Sequence, residues 1–68
     1  MNKTSKPLTP GEVLEVALAK ERSAYRFYEN IENRLRSTDF LLDLVTKLKN
    51  EEAKHIRLIQ DEMAKMNQ

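Results

Sequence analysis

The chain has 68 residues, one glycine, no cysteine and no tryptophan, and twelve basic residues against eleven acidic ones leave a formal net charge of +1. That balance gives no electrostatic footprint for nucleic acid or an anionic membrane surface. So short a chain forms one domain at most and buries a thin core, and without disulfides the usual supports are metal or self-association.

Residues 1–7 (MNKTSKP) are polar and without periodicity, and read as a disordered tail. The helical part is expected over residues 8–68. Its first helix opens on several independent signals. Thr9 suits the N-cap, Pro10 the first helical position, and Glu12 completes a capping box with Thr9, while Leu8 and Val13 take the two positions of a hydrophobic staple. From there Leu14, Ala17, Glu21, Ala24, Tyr28, Ile31 and Leu35 recur at alternating spacings of 3 and 4, a heptad-like seam that predicts helix to about Arg36. Val13, Leu18, Tyr25 and Phe27 broaden the stripe.

The stretch RSTDF breaks the pattern, and Ser37, Thr38 or Asp39 can cap a second helix running to about Met66. The second seam reads Leu41, Val45, Leu48, Glu52, His55, Ile59, Glu62 and Met66, flanked by Leu44, Ile56 and Met63. Two helices of similar length joined by a short turn predict an all-α antiparallel hairpin. One hairpin leaves half of each stripe in water. Dimerisation into a four-helix bundle would bury it, so the expected partner is a second copy, in a homodimer or a ring of dimers. The apolar runs are too short to span a bilayer, and no apolar segment of signal-peptide type follows the start. The expected setting is therefore cytoplasmic.

Both seams carry glutamate where an aliphatic residue belongs. A buried, unpaired carboxylate costs several kcal/mol, so something should compensate Glu21 and Glu52. With the turn centred near Ser37–Thr38, Glu21 lies about sixteen residues before it, and Glu52 and His55 bracket the sixteenth residue after it. All three fall at one level, about 24 Å from the turn. The E-x-x-H spacing puts its two side chains one helical turn apart on one face. Alone it is a weak signal; a seam glutamate at the same height on the other helix makes it stronger. Two such hairpins supply four carboxylates and two imidazoles, enough to neutralise two divalent cations.

At these residues the sequence resembles the rubrerythrin-type members of the ferritin-like superfamily. ALAKERSAYRFYENI (Ala17 to Ile31) is similar to their first metal-binding helix, and LVTKLKNEEAKH (Leu44 to His55) to the second, with its E-E-x-x-H motif. The likeness spans roughly residues 12 to 66. It implies Glu21, Glu52 and His55 as ligands, Tyr28 as the tyrosine two turns after the first ligand, and a di-iron centre serving iron oxidation, storage or removal of an oxidant. Manganese or zinc would suit the same ligand types. The family's usual chain has four helices and this one has two, so the site would be shared between two chains, as in the encapsulated ferritins. No cysteine-rich electron-donor domain and no apolar targeting tail is present in this sequence.

Other residues have plainer readings. Tyr25 suits the core edge and Glu51 the solvent. Met63 and Met66 suit the core as fillers. Glu32 and Glu62, on the Glu21 and His55 stripes, suit either surface ion pairs or a secondary metal site. The alternative for the whole chain is a metal-free helical-hairpin interaction module, in which the seam Glu and His fix register and oligomer state through hydrogen bonds.

Overall fold

The computed structural model describes residues 6–67, and those residues form two helices, α1 (Pro10–Arg34) and α2 (Leu41–Met66), packed as an antiparallel hairpin. The expected disordered tail lies, for residues 1–5, outside the described residues. Among the described residues no helix is long and apolar enough to cross a membrane.

The start of α1 follows the sequence closely. The Glu12 N–H donates to Thr9 Oγ1 at 3.1 Å and the Thr9 N–H donates to Glu12 Oε1 at 2.9 Å, a complete capping box with Pro10 just inside it. Leu8 and Val13, the two staple positions, are both exposed, at 64% and 46%. At the other end α1 stops at Arg34, two residues short of the expected limit, where Leu35 turns into extended backbone. The turn centres on Ser37–Thr38, closed by the Asp39 N–H donating to the Arg36 carbonyl at 2.9 Å. Asp39 does not cap α2 from the N-cap position, which falls to Phe40. Its Oδ1 accepts from the Leu41 N–H at 2.8 Å, a local side-chain turn that delivers the chain into α2 one residue later than a cap would.

The face of α1 against α2 is the expected seam: Leu14, Ala17, Glu21, Ala24, Tyr28, Ile31 and Leu35 are all partly covered. The covered face of α2 is turned from the expected one. It runs through Leu42, Val45, Leu48, Lys49, Glu52, Ile56, Ile59 and Met63, so Val45, Leu48, Glu52 and Ile59 of the expected seam are covered, while Leu41, His55, Glu62 and Met66 are exposed. Apolar residues occupy a wide arc of α2, and only part of that arc meets α1. Val45 is the one residue classed as buried among those described, at 8% exposure.

What remains uncovered is organised. At 100° per residue, Val13 and Phe27 on α1 project to the same broad side of the hairpin as Leu41, Leu44, His55 and Met66 on α2, with Val16 and Leu58 at its outer edges. Each of these apolar side chains is at least 42% exposed. The opposite side carries Glu15, Arg22, Glu29, Asn50 and Arg57, all exposed. Lys20 and Glu62, both exposed, project to the first side as well, so it is the more apolar of the two broad sides.

Candidate metal centre

Glu21 is held on the covered face of α1 between Ala17 and Ala24, whose small side chains leave room for a carboxylate. Glu52 and His55 come from successive turns of α2. The antiparallel register sets all three at one level, and each offers a ligand atom such that the three atoms lie within 4.8 Å of one another. His55 Nδ1 is 3.3 Å from Glu21 Oε1 and 3.3 Å from Glu52 Oε1. The carboxylates are largely covered, with side-chain exposures of 27% and 19%, and the imidazole, at 48%, opens onto the apolar broad side.

These distances are long for hydrogen bonds and also compatible with one shared cation. An N–H···O hydrogen bond is normally about 2.9–3.0 Å long. Two ligand atoms each about 2.1 Å from one ion, at the angles of tetrahedral or octahedral coordination, stand roughly 3.0–3.4 Å apart. The donor set is two hard oxygens and a borderline nitrogen, which suits iron, manganese or zinc. The residues present therefore fit a divalent transition metal, with Glu21, Glu52 and His55 as its ligands from this chain and further coordination positions left open.

Without metal the three groups share protons. The hydrogen bond with Glu21 lifts the His55 imidazole above its ordinary value of 6.5, assisted by the charges of Glu21 and Glu52. The two carboxylates divide in opposite directions. Their mutual hydrogen bond holds Glu21 below 4.5 and lifts Glu52 above it, one proton serving a pair of like charges. A raised imidazole pKa means that the charged ring stabilises the metal-free fold. That contribution is complete below about pH 6.5 and disappears as pH rises through the raised value. Metal binding needs the neutral ring and runs the other way. In a titration of the metal-free protein by NMR, the His55 midpoint is expected above 6.5 and should fall toward it in Glu21→Gln. A midpoint at or below 6.5 in the parent would refute the pairing.

The other singled-out residues lie elsewhere. Tyr28 is partly covered and its ring meets Phe27 edge-on, with centroids 5.3 Å apart. Glu32 accepts from Thr46 Oγ1 at 2.6 Å and from Lys49 Nζ at 2.7 Å, so both of its oxygens are engaged within the hairpin. Glu62 pairs with Lys65 at 3.1 Å on the surface, and Glu51 with Lys54 at 3.2 Å. Sequence reasoning gave no part to Thr46 or Lys49. Counting from the turn does not pair them, since Glu32 lies five to six residues before Ser37–Thr38 and Lys49 eleven to twelve after, and only the length of the lysine side chain joins the two levels.

No family model, no curated protein and no solved structure matches this chain.

Proposed function

We propose that the chain is a metal-binding half-bundle of ferritin-like type, whose two-copy assembly holds a pair of iron ions between four glutamates and two histidines. The observation that carries this reading is the convergence of Glu21, Glu52 and His55 from two helices, with ligand atoms within 4.8 Å of one another. Three further points support it. The cluster opens through His55 onto the apolar side that a second copy would cover. Three ligands per chain are incomplete for iron, and a twofold partner would double them. The resemblance of Ala17–Ile31 and Leu44–His55 to the rubrerythrin-type helices supplies the preference for iron over manganese or zinc.

In this reading Fe(II) is bound as substrate and oxidised to Fe(III), with dioxygen or peroxide as electron acceptor; the use is iron storage or removal of an oxidant. The residues do the positioning. Glu21 and Glu52 supply the negative charge that draws and holds the cation, and His55, with Nδ1 facing them, supplies the nitrogen donor. Covering the apolar side would exclude bulk water from the centre and strengthen every charge interaction within it. Tyr28, two turns from Glu21 on the same face, stands nearest in sequence pattern to an oxidant-facing role.

The metal-free alternative needs Glu21, Glu52 and His55 to act as a structural lock. Two like charges within one cluster are poorly suited to that, and the polar contacts of Glu32 lie elsewhere. Elemental analysis of untagged protein, and anaerobic Fe(II) titration, test the reading. One metal per chain is expected, with Fe(II) oxidised faster than in buffer on admitting air. A folded chain that takes up no transition metal at micromolar concentration overturns it. Metal uptake with oxidation at the buffer rate would leave a binding protein without ferroxidase activity.

A further inference from the structure

Among the described residues, polar side chains bridge α1 and α2 at two places. One is the candidate metal centre. The other is nearer the turn, where Thr46 Oγ1 donates to one oxygen of Glu32 and Lys49 Nζ donates to the other, at 2.6 and 2.7 Å. Glu32 and Lys49 are each only 19% exposed at the side chain. Lys49 Nζ also stands 6.0 Å from the centre of the Tyr25 ring. Two donors from neighbouring turns of α2 thus hold both oxygens of one α1 carboxylate, and the lysine contact is charge-assisted.

The centre itself ties the helices less firmly. Its two carboxylates repel when both are ionised, and the contact that joins the helices there, His55 Nδ1 to Glu21 Oε1, is longer at 3.3 Å and involves an imidazole 48% exposed. The apolar seams are also tolerant, because their residues recur every three or four positions and a slide by one turn again sets apolar residues against apolar residues. The six-residue connection from Leu35 to Phe40 limits such a slide, and a second tie between the helices limits it further. Glu32 is eleven residues after Glu21, three turns along nearly the same face of α1. Lys49 is one turn before Glu52 on α2. Counted from the centre, Glu32 lies about 16 Å toward the turn and Lys49 only about 4.5 Å, so the Lys49 side chain crosses between the helices on a slant, a diagonal tie that is strained or slackened if α1 slides along α2.

We propose that Glu32, Thr46 and Lys49 are positioning residues, a register clamp that holds Glu21 level with Glu52 and His55 before metal arrives. The clamp also explains why Glu32 is not a ligand: both of its oxygens are committed to its own hairpin. The inference rests on the metal-binding reading for its benefit to the site, and on the hairpin geometry alone for its existence.

The test uses the full chain. Lys49→Met keeps the length of the stem and removes the charge, Glu32→Gln keeps one acceptor and the shape, and Lys49→Arg restores the charge. Two quantities are read in each: affinity for Fe(II) under anaerobic conditions, and the NMR cross-relaxation between the His55 ring and the Glu21 side chain in metal-free protein. Lys49→Met is expected to bind Fe(II) about tenfold or more weakly, in the range seen when a ligand's supporting hydrogen bonds are lost. The His55-to-Glu21 signal should weaken while helicity is retained. Glu32→Gln should fall between it and the parent, and Lys49→Arg should recover most of the affinity. Unchanged affinity and an unchanged cross-relaxation signal in Lys49→Met would overturn the clamp and leave the turn alone as the keeper of register. Should Lys49→Met fail to fold, Glu32→Gln carries the same two readouts. A parent chain that binds no metal would instead defeat the proposed function, and the cross-relaxation signal would still decide the clamp.

Discussion

Alanine at Glu21, Glu52 or His55 is expected to weaken metal binding by more than about a hundredfold, the upper end of what is lost when only a ligand's hydrogen-bond partner is removed. Each substitution deletes one of three ligands that a single chain contributes, and in a twofold assembly each deletion happens twice. The hairpin itself should survive. Glu21→Ala and Glu52→Ala remove one member of a like-charge pair, so the metal-free fold should be as thermally stable as the parent or more so near neutral pH. His55→Ala removes the group that compensates both carboxylates and should lower the thermal midpoint of the metal-free protein. Metal content by mass spectrometry, circular dichroism and thermal melting check these outcomes together. Parent-level metal content in any variant would strike that residue from the ligand set.

The second large effect concerns assembly. At micromolar concentration the folded protein is expected to sediment as a dimer or a multiple of one, with metal shifting the equilibrium toward the dimer. The physical reason is the shortage of interior. Val45 alone is classed as buried among the described residues, and Val13, Phe27, Leu41, Leu44 and Met66 lie exposed on one broad side. A lone hairpin with so little covered apolar surface has little with which to offset the ordering of some sixty residues. A second copy laid against that side, with the twofold axis perpendicular to the helices and passing through the centre, overlaps all four helices along their length and brings both ligand sets together. Leu44→Lys should then dissociate the pair and weaken metal binding in parallel, although Leu44 is no ligand. A stable folded monomer that retains its metal would sink the shared centre, since one hairpin holds three of the proposed ligands.

Most of the hairpin was legible in the sequence because its signals are local. The capping box of Thr9 and Glu12, Pro10 inside it and the break at RSTDF each act within a few residues, and the structure realises all of them. The levelling of Glu21 with Glu52 and His55 was also legible, since counting residues from a turn fixes height when both helices are regular. Rotation about the axis of α2 was not. Periodicity shows which arc of a helix is apolar, and that arc on α2 is wide enough to serve two partners. Of the expected seam, Leu41, His55, Glu62 and Met66 face away from α1, whereas Val45, Leu48, Glu52 and Ile59 are covered together with Lys49, Ile56 and Met63. The Glu32–Lys49 bridge was hidden for a related reason. Counting apolar residues treats a lysine as surface, whereas its long apolar stem lets it lie between helices with only its ammonium needing a partner.

The short turn at Ser37–Thr38 has a consequence for how such a bundle can be encoded. It places both chain ends of one hairpin, Pro10 and Met66, at the same end. In the perpendicular-axis pair the second copy has its ends at the far side of the bundle. A connection from α2 of one copy to α1 of the next must then travel the length of a helix, about 37 Å for 25 residues at 1.5 Å each. That distance takes at least eleven or so fully extended residues, far more than the six from Leu35 to Phe40 that join α1 to α2. Two separate copies would avoid this long strap altogether, and the two halves of the symmetric centre they would build could not diverge independently.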